Sequence, residues 1–175
     1  MLAERLVEVS SRISDGTLVP GIPLFPTVTD DDSGAMSLAS TLGDMTELTI
    51  DLLQDQPKIL SAEYIEELCS FQFEPFSPPA FALEHAYLMY EGLTWERYDP
   101  EKVGHGMGAF LIKKDTEVFP GGTLTMTGLP NLVWFINRER GVGGLYASAI
   151  LSPDDGKSGE LIQVFIKEAF AQAPT

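Results

Sequence analysis

The stretch that decides the fold is "GGTLTMTGLPNLVWFINRERGVGGLYASAIL", residues 121 to 151. It contains three runs of β-branched and aromatic residues, and glycine, proline or charged residues separate the runs. Such runs, bounded by turn-forming residues, are typical of β-strands joined by tight turns. We therefore predict three consecutive antiparallel strands, the first of which ends in the triplet Met126-Thr127-Gly128.

The sequence on either side of this stretch completes an α+β pattern. A further strand is predicted within "GMGAFLIKK", residues 106 to 114, just before the deciding stretch. Helical spacing of apolar residues and N-cap residues (Ser40 or Thr41, then Ser61) predict helices over 2–13, 41–54, 62–68, 81–93 and 157–171. The last of these is expected to bury Leu161, Ile162, Phe165, Ile166, Ala169 and Phe170.

The order of these elements indicates one domain over residues 1–175. Residues 1–100 form its mainly helical and loop part, and residues 101–175 form antiparallel strands followed by a helix. We expect a sheet of about three to five strands with helices packed on it. Residues 71–80, "FQFEPFSPPA", predict an irregular wall of aromatic side chains.

Composition and charge exclude several classes of partner. The chain has 26 acidic and 11 basic residues, a formal charge of -15, which repels nucleic acid and anionic membranes. It has no apolar run of membrane-spanning length and no signal-peptide core, so a cytoplasmic location is expected. The single Cys69 is expected to be buried and inert, and Asp30-Asp31-Asp32 to be a solvated loop. No metal and no cofactor are predicted.

Four stretches carry a resemblance to a known family: "SGAMSLASTLGDMTELTIDLL", "KILSAEYIEEL", "GHGMGAF" and "GTLTMTGLPNLVWFINRERGVGGLYASAIL". They resemble the C-terminal part of the serine β-lactamase and penicillin-binding-protein superfamily. More specifically, they resemble its class C-like esterase and transesterase branch, which includes fungal acyltransferases. The counterparts there are close to GGGLYSTAxDYxxFLxxLL, LLSxExVxxL, WGLGF and GTxxWGGxxNxxWxIDxxxGVxGxxxTQ. The resemblance implies a truncated β-lactamase-like fold.

The resemblance also implies where a ligand would bind. Met126-Thr127-Gly128 stands in the place of the family's Lys-Thr-Gly, His-Thr-Gly or Trp-Gly-Gly triplet, which lies at the edge of the acyl pocket. Ala39 and Met45 stand where the family has tyrosines. Tyr90 and Trp95 are further candidates for an apolar pocket wall, although both are equally consistent with a core position.

The catalytic serine and lysine of the family have no counterpart. No serine of the chain is followed by lysine three positions later, so the family's Ser-x-x-Lys is absent. His105, between Gly104 and Gly106, is the best remaining candidate for a general acid or base; the alternative is a structural histidine. His85 is expected to be a solvated helix position.

Two functional hypotheses follow. In the first, the chain is a repurposed enzyme for an apolar natural product, such as a cyclase, isomerase or dehydratase, which uses pocket shape and an acid–base group. In the second, it is the non-catalytic C-terminal part of a split or truncated serine esterase and acts by binding a partner. The strand "GVGGLYASAIL" has no lysine, glutamate or proline to block its edge, so a homodimer is also expected.

Overall fold

The computed structural model describes residues 7–22, 40–74, 76–82, 90–91, 94, 96–152 and 155–173. The strands are β1 (Ser10–Arg12), β2 (Leu18–Pro20), β3 (Val103–His105), β4 (Phe110–Ile112), β5 (Leu124–Gly128), β6 (Leu132–Asn137) and β7 (Val142–Ala147). The helices are α1 (Leu42–Leu53), α2 (Ala62–Leu68), α3 (Pro78–Ala82) and α4 (Gly156–Ala171).

The main sheet has five antiparallel strands in the order β3-β4-β5-β6-β7. One row of paired residues crosses it from edge to edge: His105, Phe110, Thr125, Phe135 and Gly144. Paired residues share a face of a sheet, and their neighbours along each strand point to the opposite face. The predicted α+β class and the predicted number of strands are confirmed.

One face of the sheet, here called the α4 face, carries most of the core. Phe135 is fully buried, and its ring centroid lies 5.9 Å from that of Phe165 and 5.4 Å from that of Phe170, both on α4. Ile162 and Ile166 of α4 are also fully buried. Helix α4 was predicted correctly, but Leu161 is 57 % exposed, because it lies on the side of the helix that faces away from the sheet.

Helices α1 and α2 lie on the opposite face, and both begin where the sequence predicts. The Thr41 and Ser61 hydroxyls accept hydrogen bonds from the third residue of each helix and so cap them. A Cβ at Gly143 would lie 2.5 Å from Thr49 Cγ2, so the glycine permits the close approach of α1 to β7. Cys69, at the end of α2, is half-buried, and burial raises the pKa of its thiol.

The prediction of a helix over residues 2–13 is wrong for the described residues 7–13. Strand β1 pairs with β2, and Ser10 N donates to Ala149 O while Leu151 N donates to Ser10 O. The β1–β2 hairpin is therefore a separate two-stranded sheet, which is bridged at Ser10 to the segment that follows β7. Pairing with the nearby β2, together with this bridge, outweighed the local helical spacing of apolar residues.

Residues 1–6, Asp30-Asp31-Asp32 and most of the predicted helix 81–93, including His85, lie outside the described residues. Arg138 is half-buried and donates to the main-chain carbonyl groups of Leu52 and Gln54. It therefore joins the end of β6 to the end of α1. No helix in the described part of the chain is both long enough and apolar enough to cross a bilayer.

Candidate functional site

The triplet Met126-Thr127-Gly128 ends β5 at an open position in the sheet. Strand β6 pairs with all five residues of β5, whereas β4 pairs only with Leu124 and Thr125. The triplet therefore extends beyond the end of β4. Among the described residues, no atom lies within 4 Å of a Cβ placed on Gly128, which leaves space beside the strand in this part of the structure.

Side chains of the triplet alternate between the two faces of the sheet. Met126 is half-buried and packs near Trp134 and Leu124 on the face that carries α1 and α2. Thr127 points to the α4 face and is buried. Met45 is half-buried on α1. Helix α1 packs on the same face of the sheet to which Met126 points. Ala39 and Trp95 lie outside the described residues.

Tyr90 belongs to the core rather than to a pocket wall. Its side chain is fully buried, and its ring packs edge-on against Phe110 with centroids 5.4 Å apart. The hydroxyl donates to Glu96 Oε2 at 2.6 Å, and the other Glu96 oxygen accepts from Glu117 N. Burial, together with this carboxylate, raises the pKa of Tyr90. The phenol therefore stays protonated and holds the loop around residue 96 to the sheet.

His105 ends β3 at the outer edge of the sheet. Its main-chain carbonyl accepts a hydrogen bond from Gln72 N at 2.9 Å, which joins β3 to the segment after α2. Its ring lies edge-on to Phe110 and 6.4 Å from Phe73, measured between centroids. Nδ1 is 2.7 Å from Gly106 O. Because a carbonyl oxygen only accepts, the neutral ring must carry its proton on Nδ1, which leaves the Nε2 lone pair available.

The side chain of His105 forms part of the wall of a cavity of about 330 Å³, here called the aromatic pocket. Four aromatic side chains and three charged side chains share this wall: Phe73, Phe76, Phe81, Tyr98, Glu91, Arg97 and Lys113. The volume lies within the range of small-molecule sites. Of the three phenylalanines, Phe73 and Phe76 belong to residues 71–80, the segment predicted as an aromatic wall, and Phe81 follows it directly.

Phe76 holds an unusual backbone conformation at the rim of this pocket. Its φ is +62°, in the left-handed region, and its ring is 62 % exposed. A bulky residue in that region costs of the order of 1–3 kcal/mol, and such strain is concentrated at functional sites. The fold therefore maintains an unfavourable backbone conformation that leaves an aromatic ring exposed beside the pocket.

The structure separates the residues that the sequence grouped into one site. His105 lies in the same register row as Thr125, two strands away, or about 10 Å at normal strand spacing. Its side chain and that of Met126 point to opposite faces of the sheet. Within the described ranges, no group of three histidine, cysteine or acidic side chains could hold a metal ion.

Comparison with known proteins agrees with the sequence motifs. The acyltransferase calJ of Penicillium decumbens is 29% identical over 151 residues, which cover 83% of this chain and 35% of that enzyme. No protein-family model matches the chain. The predicted resemblance is confirmed. The chain is a homologue of this acyltransferase and spans about a third of its length.

Solved structures match the whole fold. Simvastatin synthase (LovD) from Aspergillus terreus superposes with a TM-score of 0.76 at 21% identity, over 98% of this chain and 43% of that chain. Its LovD9 mutant gives a TM-score of 0.78 at 19% identity, over 98% and 42%. At these identities the likeness shows the fold. That fold is consistent with a C-terminal part of a β-lactamase-like transesterase.

Proposed function

We propose that this chain binds an apolar small molecule in the aromatic pocket and transforms it by acid–base chemistry at His105. The single observation that carries the proposal is the position of His105 on the wall of this pocket, with Nδ1 at Gly106 O and Nε2 available. An aromatic cavity that contains a side chain able to transfer a proton is a common arrangement for small-molecule enzymes.

The chemistry available to such a site is proton transfer. Nε2 would accept a proton from a carbon next to a ligand carbonyl, the negative charge moving onto the carbonyl oxygen. The protonated ring would then return the proton to a different carbon, which isomerises the ligand, or to a leaving hydroxyl group, which dehydrates it. If the enolate carbon instead attacks a second carbonyl group of the same ligand, the ligand is cyclised, and the alkoxide that forms takes the proton from the His105 ring. None of these steps needs the Ser-x-x-Lys motif, which the sequence lacks.

A direct test uses 2-tetralone, an apolar ketone whose α-protons exchange with solvent when a base removes them. In D₂O, the wild-type protein should accelerate deuterium uptake, and His105→Ala should lower the rate by about 100-fold, within the usual range for one acid–base group. The matched control is His85→Ala, which changes the chain's other histidine. Loss of thermal stability in His105→Ala with exchange retained would make His105 structural.

A second candidate function is supported by the open end of β5. The triplet extends beyond β4 and has space beside it, as a strand that borders a larger acyl pocket would. In that case a partner polypeptide supplies Ser-x-x-Lys, and the chain itself has no activity. Neither candidate predicts hydrolysis by the chain alone. Turnover of nitrocefin or p-nitrophenyl esters, or a stable acyl-serine detected by intact mass spectrometry, would contradict both.

A second copy of the chain lacks Ser-x-x-Lys and cannot be that catalytic partner, but it is compatible with the edge of the sheet. Strand β7 is last in the order of the main sheet, and among the described residues Ser10 bonds to the segment at Ala149–Leu151 while no strand pairs with the outer side of Val142–Ala147. The edge of Val142–Ala147 would pair with its symmetry mate in a twofold dimer. Light scattering at low micromolar concentration should give about twice the mass of the 19.1 kDa chain. A monomeric mass would refute the dimer without affecting the pocket.

A further inference from the structure

From the charges around the aromatic pocket, we infer that its ligand carries a carboxylate, which Arg97 and Lys113 bind while the aromatic rings hold the apolar body. This inference deepens the proposed function and rests on it, since it names the class of molecule that the same pocket takes. It starts from a difference in charge between this pocket and the chain as a whole. The whole chain has 26 acidic and 11 basic residues, yet this pocket has two cations and one carboxylate, Glu91.

Glu91 does not neutralise either cation directly. Its Oε1 accepts a hydrogen bond from Tyr98 N at 2.8 Å. In the described part of the chain, the ion pair with a nitrogen–oxygen distance below 4.0 Å is that of Arg12 with Asp155, and neither residue lines this pocket. Arg97 forms no hydrogen bond or ion pair with any described side chain. Its guanidinium is therefore available for a two-point contact with a carboxylate.

The ammonium group of Lys113 lies over the ring of Phe71, which lines a neighbouring cavity that shares Lys113 with the aromatic pocket. Its Nζ lies 4.9 Å from the centroid of the Phe71 ring. Gly104 makes this possible, because a Cβ there would approach both Lys113 Cε and Phe71 Cδ1 to 2.8 Å. The missing side chain at position 104 leaves room for the lysine across β3. Lys113 thus stands between the aromatic pocket and a second cavity lined by Glu66 and Glu139, and within the described residues it forms no ion pair with either carboxylate.

The two halves of the site fit an amphipathic acid. Phe73, Phe76 and Phe81 offer apolar surface on one part of the wall, and Arg97 and Lys113 offer positive charge on another. A neutral apolar ligand would gain nothing from the cations. A ligand with several negative charges would be repelled by Glu91 and by the acidic chain as a whole. A monocarboxylate with an aromatic or aliphatic body satisfies both constraints.

The test compares two probes of the same shape, 1-naphthaleneacetate and 1-naphthaleneacetamide, by isothermal titration calorimetry. The acetate should bind at least about tenfold tighter than the amide, as expected for one charge-assisted hydrogen bond. Arg97→Gln and Lys113→Gln should each weaken the acetate and leave the amide within about twofold. Lys167→Gln, on the exposed side of α4, should change neither affinity. Phe81→Ser should weaken both.

The outcomes separate this inference from the proposed function. Equal affinities for the two probes, unchanged in Arg97→Gln and Lys113→Gln, would overturn the carboxylate inference and leave the apolar pocket standing. Failure of both probes to bind would overturn the pocket itself. Gly104→Ala provides an independent variant, since its backbone needs no glycine conformation but its Cβ displaces Lys113. It should weaken the acetate more than the amide, and the opposite order would contradict the role of Lys113.

Discussion

The α4 face of the sheet and the aromatic pocket at its edge use phenylalanine in opposite ways. Phe135 is fully buried and contacts Phe119, Phe165 and Phe170. Phe76 and Phe81, at the pocket, are 62 % and 57 % exposed. The first region has the interlocked packing that stabilises a fold. The second leaves aromatic surface uncovered and maintains a strained backbone, so its residues are explained by a ligand better than by stability.

The largest effect should follow from breaking the packed region. Phe135→Ala leaves a cavity between β6 and α4, and such a change costs about 3–5 kcal/mol of unfolding free energy. Urea unfolding followed by circular dichroism measures it. Phe81→Ala is the matched control and should cost clearly less, of the order of 1 kcal/mol, since more than half of that residue is exposed. Equal costs for the two variants would remove the distinction between the regions.

An intermediate effect is expected at the link between the hairpin and α4. Arg12 Nε donates to Asp155 Oδ2 at 2.6 Å, and Ser158 N donates to Asp155 Oδ1. Burial alone would raise the pKa of Asp155, but these hydrogen bonds outweigh it and the pKa is lowered. A lowered folded-state pKa means that the stabilisation is present above pH about 4, the unfolded value. It is lost as the pH falls through the folded value.

Asp155→Asn should therefore lose about 1.5–3 kcal/mol near neutral pH, the range for hydrogen bonds to a charged group. Its unfolding free energy should also depend less on pH between about 2 and 5 than that of the wild type. Thermal unfolding across this pH series is the measurement. A variant that keeps the wild-type acid dependence would show that another carboxylate is responsible. Glu160→Gln, at an exposed position of helix α4, is the control.

The smallest effect on stability should be at the strained rim of the pocket. Phe76→Gly removes the steric cost of the φ of +62° but adds backbone freedom to the unfolded chain. We expect a change of less than about 1 kcal/mol in unfolding free energy, together with weaker binding of 1-naphthaleneacetate. A loss of several kcal/mol with binding intact would place Phe76 among the structural residues instead.

Local signals in the sequence were enough to predict much of the fold. The Thr41 and Ser61 caps mark their helices through hydrogen bonds to residues three positions on, and the glycines around β5–β7 mark the turns. Strand β1 was missed because the helical spacing of its apolar residues was taken as decisive, whereas β1 pairs with the nearby β2. The hydrogen bonds between Ser10 and the segment at Ala149–Leu151, almost the whole chain away, become available only in the tertiary fold.

The candidate site was harder to predict than the fold, since it depends on register. His105 and Met126 were both proposed as site residues from the sequence, but the alternation of β-strand side chains directs them to opposite faces of the sheet. Tyr90 is apolar enough for a pocket wall, and nothing local distinguishes that role from the core position it takes. The inferred carboxylate site at Arg97 and Lys113 could not be predicted from the sequence, because the space that Gly104 leaves for Lys113 is visible only in the folded structure.

One NMR titration with 1-naphthaleneacetate tests the central claim, that the ligand site is the aromatic pocket rather than the triplet edge. Histidine ring C–H groups and methionine methyl groups are labelled with ¹³C, so that His105 reports on the pocket and Met126 and Met45 report on the triplet side. The account predicts saturable shifts of the His105 ring signals with the Met126 methyl signal unchanged. Shifts of Met126 and Met45 without a response from His105 would contradict it.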